Sequence, residues 1–282
     1  MQLVVIGGGI AGLGTALACA RDGHAVTILE RDDTPMPADA DAAFAWKRTG
    51  APQVRHSHAF LARLRNLLKD RAPDVLEALL AAGATEIPFM ENLPETLTDR
   101  DPRPGDEELV AIACRRTTFE WVLRRLVLAQ PGVELRHGVA AAALDFDAGA
   151  VPLVTGVDGL AADLVVDARG PRSSSDEWLA TIGATPVREE LHESGIVYFS
   201  RFYRAPGEYG FGFRGGLSAG IGFGVIGSDA GTYSVTAVVT EPTRSCAPTS
   251  ATPPGSTPPS RCCPSSPTSS RSAAPRSTTS TA

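Results

Sequence analysis

Three things are scarce in this chain: paired cysteines, positive charge and long apolar runs. Its five cysteines never fall in a C-x-x-C spacing, which excludes a ribbon- or finger-type zinc site and dithiol redox chemistry. No metal site is expected. Lys and Arg total 26 against 32 Asp and Glu, a net charge of −6, the wrong sign for a protein that holds nucleic acid through its phosphates. No apolar stretch approaches the ~18 residues that a membrane span needs. Met1 and Gln2 lead straight into Leu3-Val4-Val5-Ile6 with no basic leader and no small-residue cleavage site, so a cytoplasmic location without a disulfide framework is expected.

One scarcity is local. The 39 residues from Arg244 to Ala282 contain 11 Ser, 8 Pro and 7 Thr, with no acid and no Leu, Ile, Val, Met, Phe, Tyr or Trp. A segment with nothing large to bury does not offset the entropy of ordering its backbone, so a disordered tail is expected over 244–282. One origin is a natural Ser/Pro linker. The other, which we prefer, is a slipped reading frame near codon 243. With one base lost there, Thr-Arg-Ser-Cys-Ala-Pro can be reread as Asp-Pro-Val-Leu-Arg-Ala, ordinary amphipathic protein, and the chain would be truncated relative to its relatives.

What is present lies at the N-terminus. The apolar run Leu3 to Ile6 is followed at once by Gly7-Gly8-Gly9-Ile10-Ala11-Gly12, in which Gly7, Gly9 and Gly12 meet G-x-G-x-x-G. Leu13, Ala16, Leu17 and Ala20 then mark one helical face, Gly23 closes it, and Ala25 to Leu29 reads as a second strand ending at Glu30. Each part has a physical job. Gly7 allows the tight turn, Gly9 lets backbone approach a pyrophosphate, and Gly12 lets helix and strand close together. The helix N-terminus, with Ile10 and Ala11, offers free N–H groups to phosphate oxygens, and Glu30 can accept from ribose hydroxyls. A second match, Gly222, Gly224 and Gly227, has no apolar strand before it. Tyr233, Val235, Ala237 and Val239 alternate after it, so it reads as glycine-rich β structure.

The chain resembles the FAD-dependent oxidoreductases related to aromatic-hydroxylase monooxygenases, flavin-dependent epoxidases and geranylgeranyl-type reductases. The likeness rests on MQLVVIGGGIAGLGTALACARDGHAVTILERD, RTGAPQVRHSHAFLARLRNLL, CRRTTFEWVLRRL and ADLVVDARGPRSSSDEWLATIG, and with the pattern between them covers residues 1 to about 240. The resemblance implies an α/β fold: a Rossmann-like FAD-binding domain over 1–185, with a helical excursion over about 51–104, then the start of a β-rich substrate domain over 186–243. It implies that Glu30 and Arg31 bind the adenosine end of FAD, and that Gln53, with Arg55, His56 and His58, lies near the flavin and its approach. It further implies that Arg116 runs along the ribityl–phosphate side, and that Asp167 and Gly170 form a second flavin motif. Relatives usually carry a small residue where this chain has Arg169. They also run on to a Gly-Asp motif that holds the ribityl chain, which does not follow Asp229-Ala230-Gly231 here.

The function so implied is a monooxygenase that oxidises a hydrophobic small molecule, with NAD(P)H as reductant and oxygen as oxidant. The alternatives are a flavin reductase of isoprenoid-type double bonds and a non-catalytic truncated remnant. A halogenase is disfavoured, because the W-x-W-x-I-P signature is missing. No catalytic acid or base is assigned. Locally, Ser57 is expected to cap the helix that carries Leu61, Leu64, Leu67 and Leu68, and Thr117 with Glu120 to form a capping box ahead of the next helix. Asp99, Asp101, Asp106, Glu107 and Glu108 read as a solvated loop. Tyr198, Phe202, Tyr203, Tyr209, Phe211, Phe213 and Phe223 read as core of the β-rich segment rather than as a stack for substrate.

Overall fold

The computed structural model describes residues 1–93, 97–171, 173–185, 187–190, 192–205, 214–218 and 221–240. The 244–282 tail and Tyr209, Phe211 and Phe213 lie outside the described residues.

The first unit is strand, helix, strand. Strand β1 (Gln2–Ile6) leads through the glycine turn into α1 (Ile10–Arg21) and then β2 (Ala25–Glu30). Two helices, α2 (Ala62–Arg71) and α3 (Pro73–Ala81), precede a short antiparallel pair, β3 (Thr85–Pro88) with β4 (Val110–Ala113). Helix α4 (Arg116–Leu128) follows almost at once, and then β5 (Val133–His137). A small antiparallel sheet, β6 (Leu144–Asp147), β7 (Leu153–Val157) and β8 (Leu160–Ala161), leads to β9 (Leu164–Asp167) and the short α5 (Ser175–Thr181).

Strands β5, β2, β1 and β9 form one parallel sheet in that order. Leu3 to Ile6 of β1 are all apolar and buried because both faces of the strand are covered there, as in a sheet layered with other elements on each side. Leu3 and Val5 face α1 and α4, packing with Leu13, Ala16, Leu17, Phe119, Val122 and Leu123. Val4 and Ile6 face the other way, against Leu29, Val157 and Ala162. Helices α2 and α3 join the first of these cores through Ala72, Val75 and Leu79, and Phe60 stacks on Phe119 at 4.6 Å between ring centres.

The remaining strands, β10 (Ile196–Arg204), β11 (Arg214–Ser218), β12 (Ile221–Gly227) and β13 (Thr232–Thr240), form an antiparallel sheet in the order β10-β13-β12-β11. Gly222, Gly224 and Gly227 therefore lie within a strand, whereas Tyr198, Tyr203 and Phe223, expected in the core, are exposed on this sheet. The β12–β13 turn is tied to the rest of the fold by Asp229, which is buried. It accepts from the Arg115 backbone N–H (2.6 Å), from Arg115 Nε (3.0 Å) and Nη2 (2.6 Å), and from the Thr118 hydroxyl (2.6 Å).

Two local expectations are corrected. Helix α2 begins after Leu61, and the Ser57 hydroxyl instead pairs with Thr236 Oγ1 on β13. Helix α4 begins at Arg116 after Arg115, with no side-chain cap. Thr117 and Glu120 are wholly buried, and Glu120 accepts from Arg48 rather than from a helix N–H. Ser57 and Glu120 are taken by tertiary partners in preference to the local cap, and the Thr117 hydroxyl is buried without a hydrogen bond.

Removing the Asp229 carboxylate leaves Arg115 buried without its main counter-charge, a loss of about 3–5 kcal/mol. Asp229→Ala should lower the urea midpoint accordingly. A change below about 1 kcal/mol would show that the turn is not pinned there.

Candidate cofactor cleft

The carboxyl ends of β1, β2 and β9 open onto one cavity of about 390 Å³. This is the edge of an open α/β sheet at which ligands bind. Gly7, Gly9, Ile10 and Ala11 line it from the turn and the start of α1. Glu30 and Arg31 line it from the end of β2, Gln53 and Arg116 from across the opening, and Ala168, Arg169 and Gly170 from beyond β9. Of the residues singled out in the sequence, Gly12, Arg55, His56, His58 and Asp167 do not line it. Gly12 is packing: a Cβ there would sit 1.9 Å from the Gly7 carbonyl oxygen. Asp167 turns aside to accept from Arg169 Nη2 at 2.7 Å and from the Ser173 hydroxyl.

The turn is held by backbone as much as by shape. Gly7 has φ +106°, donates to the Leu29 carbonyl at 2.8 Å, and lies so close to β9 that a Cβ would meet Ala168 O at 2.7 Å. Gly9 has nothing within 4 Å of where a Cβ would stand, so its surface is open. Arg169 does not fill that space, because its guanidinium folds back over Trp178, 3.7 Å from the ring centre.

Beneath the turn lies a buried charge network that sequence reasoning did not find. Arg48 Nε donates to Glu120 Oε1 (2.7 Å), Nη1 to Asp32 Oδ2 (2.9 Å), and Nη2 to both Glu30 Oε2 (2.9 Å) and Gly8 O (3.2 Å). Glu30 Oε2 also accepts from the Gly8 N–H (3.0 Å), and Oε1 from the Asp32 N–H (3.0 Å). Arg124 donates to Gly8 O, and the Trp46 ring lies against both guanidiniums. Burial works against the Arg48 charge, but Glu120, Glu30 and Asp32 outweigh it and raise that guanidinium above its ordinary value. For Arg124, burial and the nearby Arg48 cation prevail and lower it. The one available signal was Glu120 and Arg124, charges four apart on the apolar stretch of α4.

Near the second sheet, His56 Nδ1 lies 3.3 Å from Ser200 Oγ, which in turn bonds Thr236 Oγ1 at 2.9 Å. His58 donates from Nδ1 to the His56 carbonyl, and burial pushes its imidazole below the ordinary value. The acidic stretch behaves as a surface: Glu108 pairs with Arg65 and Lys69, and Asp99 with Arg103. Among the described residues there is no group of three or more His, Cys, Asp or Glu placed to hold a metal, and no helix is long and apolar enough to cross a membrane.

An adenine dinucleotide suits this cleft on three observations. The first turn of α1 carries no acid and no side-chain cap, so its N–H groups are not answered by a side chain. Arg116 lines the cavity with a buried Nε that has no partner. Glu30 Oε1 has a single backbone donor, leaving acceptor capacity for a hydroxyl.

Residues 2–104 match the family model described as FAD dependent oxidoreductase. Over that stretch the chain is similar to the FAD-dependent oxidoreductases. The chain is 31% identical to Protein Rv3254 of Mycobacterium tuberculosis over 226 residues, which is 72% of this chain and 45% of that protein. The chain thus spans less than half the length of this curated relative. Its fold is that of PqsL, a probable FAD-dependent monooxygenase from Pseudomonas aeruginosa (TM-score 0.61, 14% identity, 85% of this chain and 60% of that one). It is also that of CtdE in complex with FAD (TM-score 0.51, 15% identity, 86% and 59%).

A pH dependence follows from the shifted groups. Burial opposes ionisation of Asp32, but Thr49, the Gly50 N–H and Arg48 outweigh it. For Asp167, Arg169 and Ser173 do the same, so both carboxyls lie below their ordinary value. Their contribution is complete above about pH 4 and is lost as pH falls through the lowered folded values. His58, also lowered, begins to cost stability as pH falls below about 6.5. Urea midpoints taken from pH 8 to 3 should fall in those two stages, with the acid stage smaller in Asp32→Asn. An acid limb unaltered by that substitution would contradict the assignment.

Proposed function

We propose that the cleft holds FAD with its pyrophosphate on the Gly9–Ala11 N–H groups, its adenosine ribose on Glu30 beside Arg31, and its flavin toward Gln53. Arg116 would lie along the ribityl–phosphate side, with the Gly170 turn closing the second edge. On this reading the activity served is oxidation of a hydrophobic small molecule by a monooxygenase that uses NAD(P)H and oxygen. The observation that carries it is the uncapped, acid-free N-terminus of α1 opening onto the same cavity as Glu30 and the unpartnered Arg116 Nε. Two likenesses support the finer reading: PqsL is described as a probable monooxygenase, and a PqsL structure holds 2-aminobenzoylacetate, a small aromatic acid.

The bound flavin would supply the electron transfer and oxygen chemistry; the residues of the chain bind, orient and exclude water. The Gly9–Ala11 amides and Arg116 offset phosphate charge in a site where water screens little. Glu30, fixed by Gly8 and Arg48, presents a carboxylate of set orientation to the ribose. Ala140 and Ala141 contribute apolar wall. On the opposite side Phe202 of β10 meets Phe44 edge-on at 5.3 Å, and that sheet would cover the flavin and form the substrate side.

Loss of one charge-assisted contact from Arg116 is worth about 1.4 kcal/mol, roughly tenfold in affinity. Titration of flavin fluorescence should show Arg116→Ala binding FAD about tenfold more weakly at unchanged melting temperature. The holoprotein should take up oxygen when given NADH or NADPH. Equal FAD affinity in the variant, or FMN bound as tightly as FAD by the wild type, would sink the reading.

A further inference from the structure

Arg124 is the largest fully buried side chain among the described residues, and its guanidinium is only partly satisfied. Its Nε and Nη1 have no hydrogen-bond partner, and neither does Oε2 of the neighbouring Glu120. Glu120 and Glu30 approach its Nη2 only to 3.6 and 3.8 Å. A buried guanidinium with unused donors is commonly less stabilising than an apolar side chain of the same volume. Its single hydrogen bond among the described residues runs from Nη2 to the carbonyl oxygen of Gly8.

That carbonyl belongs to the peptide between Gly8 and Gly9. In a trans peptide the C=O and N–H point in opposite directions. A guanidinium that pulls the Gly8 oxygen inward therefore turns the Gly9 N–H outward, and Gly9 lines the cavity. Glycines on both sides leave this peptide free to rotate, and the rotated form would set a carbonyl lone pair against a phosphate oxygen. Arg48 touches the same carbonyl at 3.2 Å, but it is shared with Glu30, Asp32 and Glu120.

We propose that Arg124 is a positioning residue for the pyrophosphate: from α4, behind the sheet edge, it locks the Gly8–Gly9 peptide with its N–H toward the cleft. This rests on the dinucleotide reading above. It assigns a role in binding to a residue that would not itself touch the cofactor.

The test compares ligands that do and do not carry the pyrophosphate. In NMR titrations of the full chain, Arg124→Met should bind ADP at least tenfold more weakly than wild type and adenosine within twofold of it. Arg124→Lys, which restores one donor, should recover part of the ADP affinity. Unchanged ADP affinity in Arg124→Met, or parallel loss of ADP and adenosine, would overturn the proposal and leave Arg124 a packing residue. Should Arg124→Met not fold, the wild type decides: the Gly9 amide resonance should shift with ADP and stay in place with adenosine, and no shift with ADP overturns the proposal. A wild type that binds neither ADP nor FAD defeats the dinucleotide reading itself, which is a separate result.

Discussion

A guanidinium placed beyond the reach of water must find its counter-charges within the fold, and Arg48 finds three of them on two segments. Glu30 ends β2, Asp32 lies just past it, and Glu120 comes from the second turn of α4. Breaking one arm of such a set leaves an uncompensated buried charge, at a cost of several kcal/mol, so the end of β2, α4 and the stretch that carries Arg48 hold one another in register. The glycine turn is drawn in as well. Gly8 gives its N–H to Glu30 and its carbonyl to Arg48 and Arg124. The network therefore settles which backbone groups of the turn are left facing the cavity.

The same logic joins the antiparallel sheet to this part of the chain. Asp229 is a second buried carboxylate, answered by Arg115 and Thr118 at the entrance to α4. Arg115 and Arg116 are adjacent and do opposite things. The first is spent on internal structure. The second keeps an unpartnered Nε beside the cavity. Alternation of roles along one short segment is how α4 serves as both scaffold and site wall, and it gives the cleft a cation that Glu120 holds only at 4.0 Å.

Much of the first strand–helix–strand unit was legible in the sequence because its signals are local: an apolar run, glycines at fixed spacing and a helical stripe. The glycine-rich strand β12 was legible for the same reason, through the alternation that follows it. Arg48, Arg124 and Glu120 were not, since a charged residue read in isolation belongs on the surface and only the tertiary fold brings the partners together. Ser57 and Thr117 illustrate the converse. Each satisfies a capping rule, yet Ser57 is claimed by Thr236 on β13 and Thr117 is wholly buried in α4. The cavity collects most of the residues chosen from glycine spacing and family likeness, but only the i, i+4 pair Glu120 and Arg124 hinted at the charge network beneath it.

If this network and the turn above it act as proposed, the 282-residue chain holds flavin in the cleft. The most direct measurement is the visible absorption spectrum of the purified chain, with flavin released by denaturation and quantified. The expected result is a flavin spectrum with close to one FAD per chain, present on purification or after adding FAD. A colourless protein that stays folded and takes up no FAD from excess cofactor would contradict it.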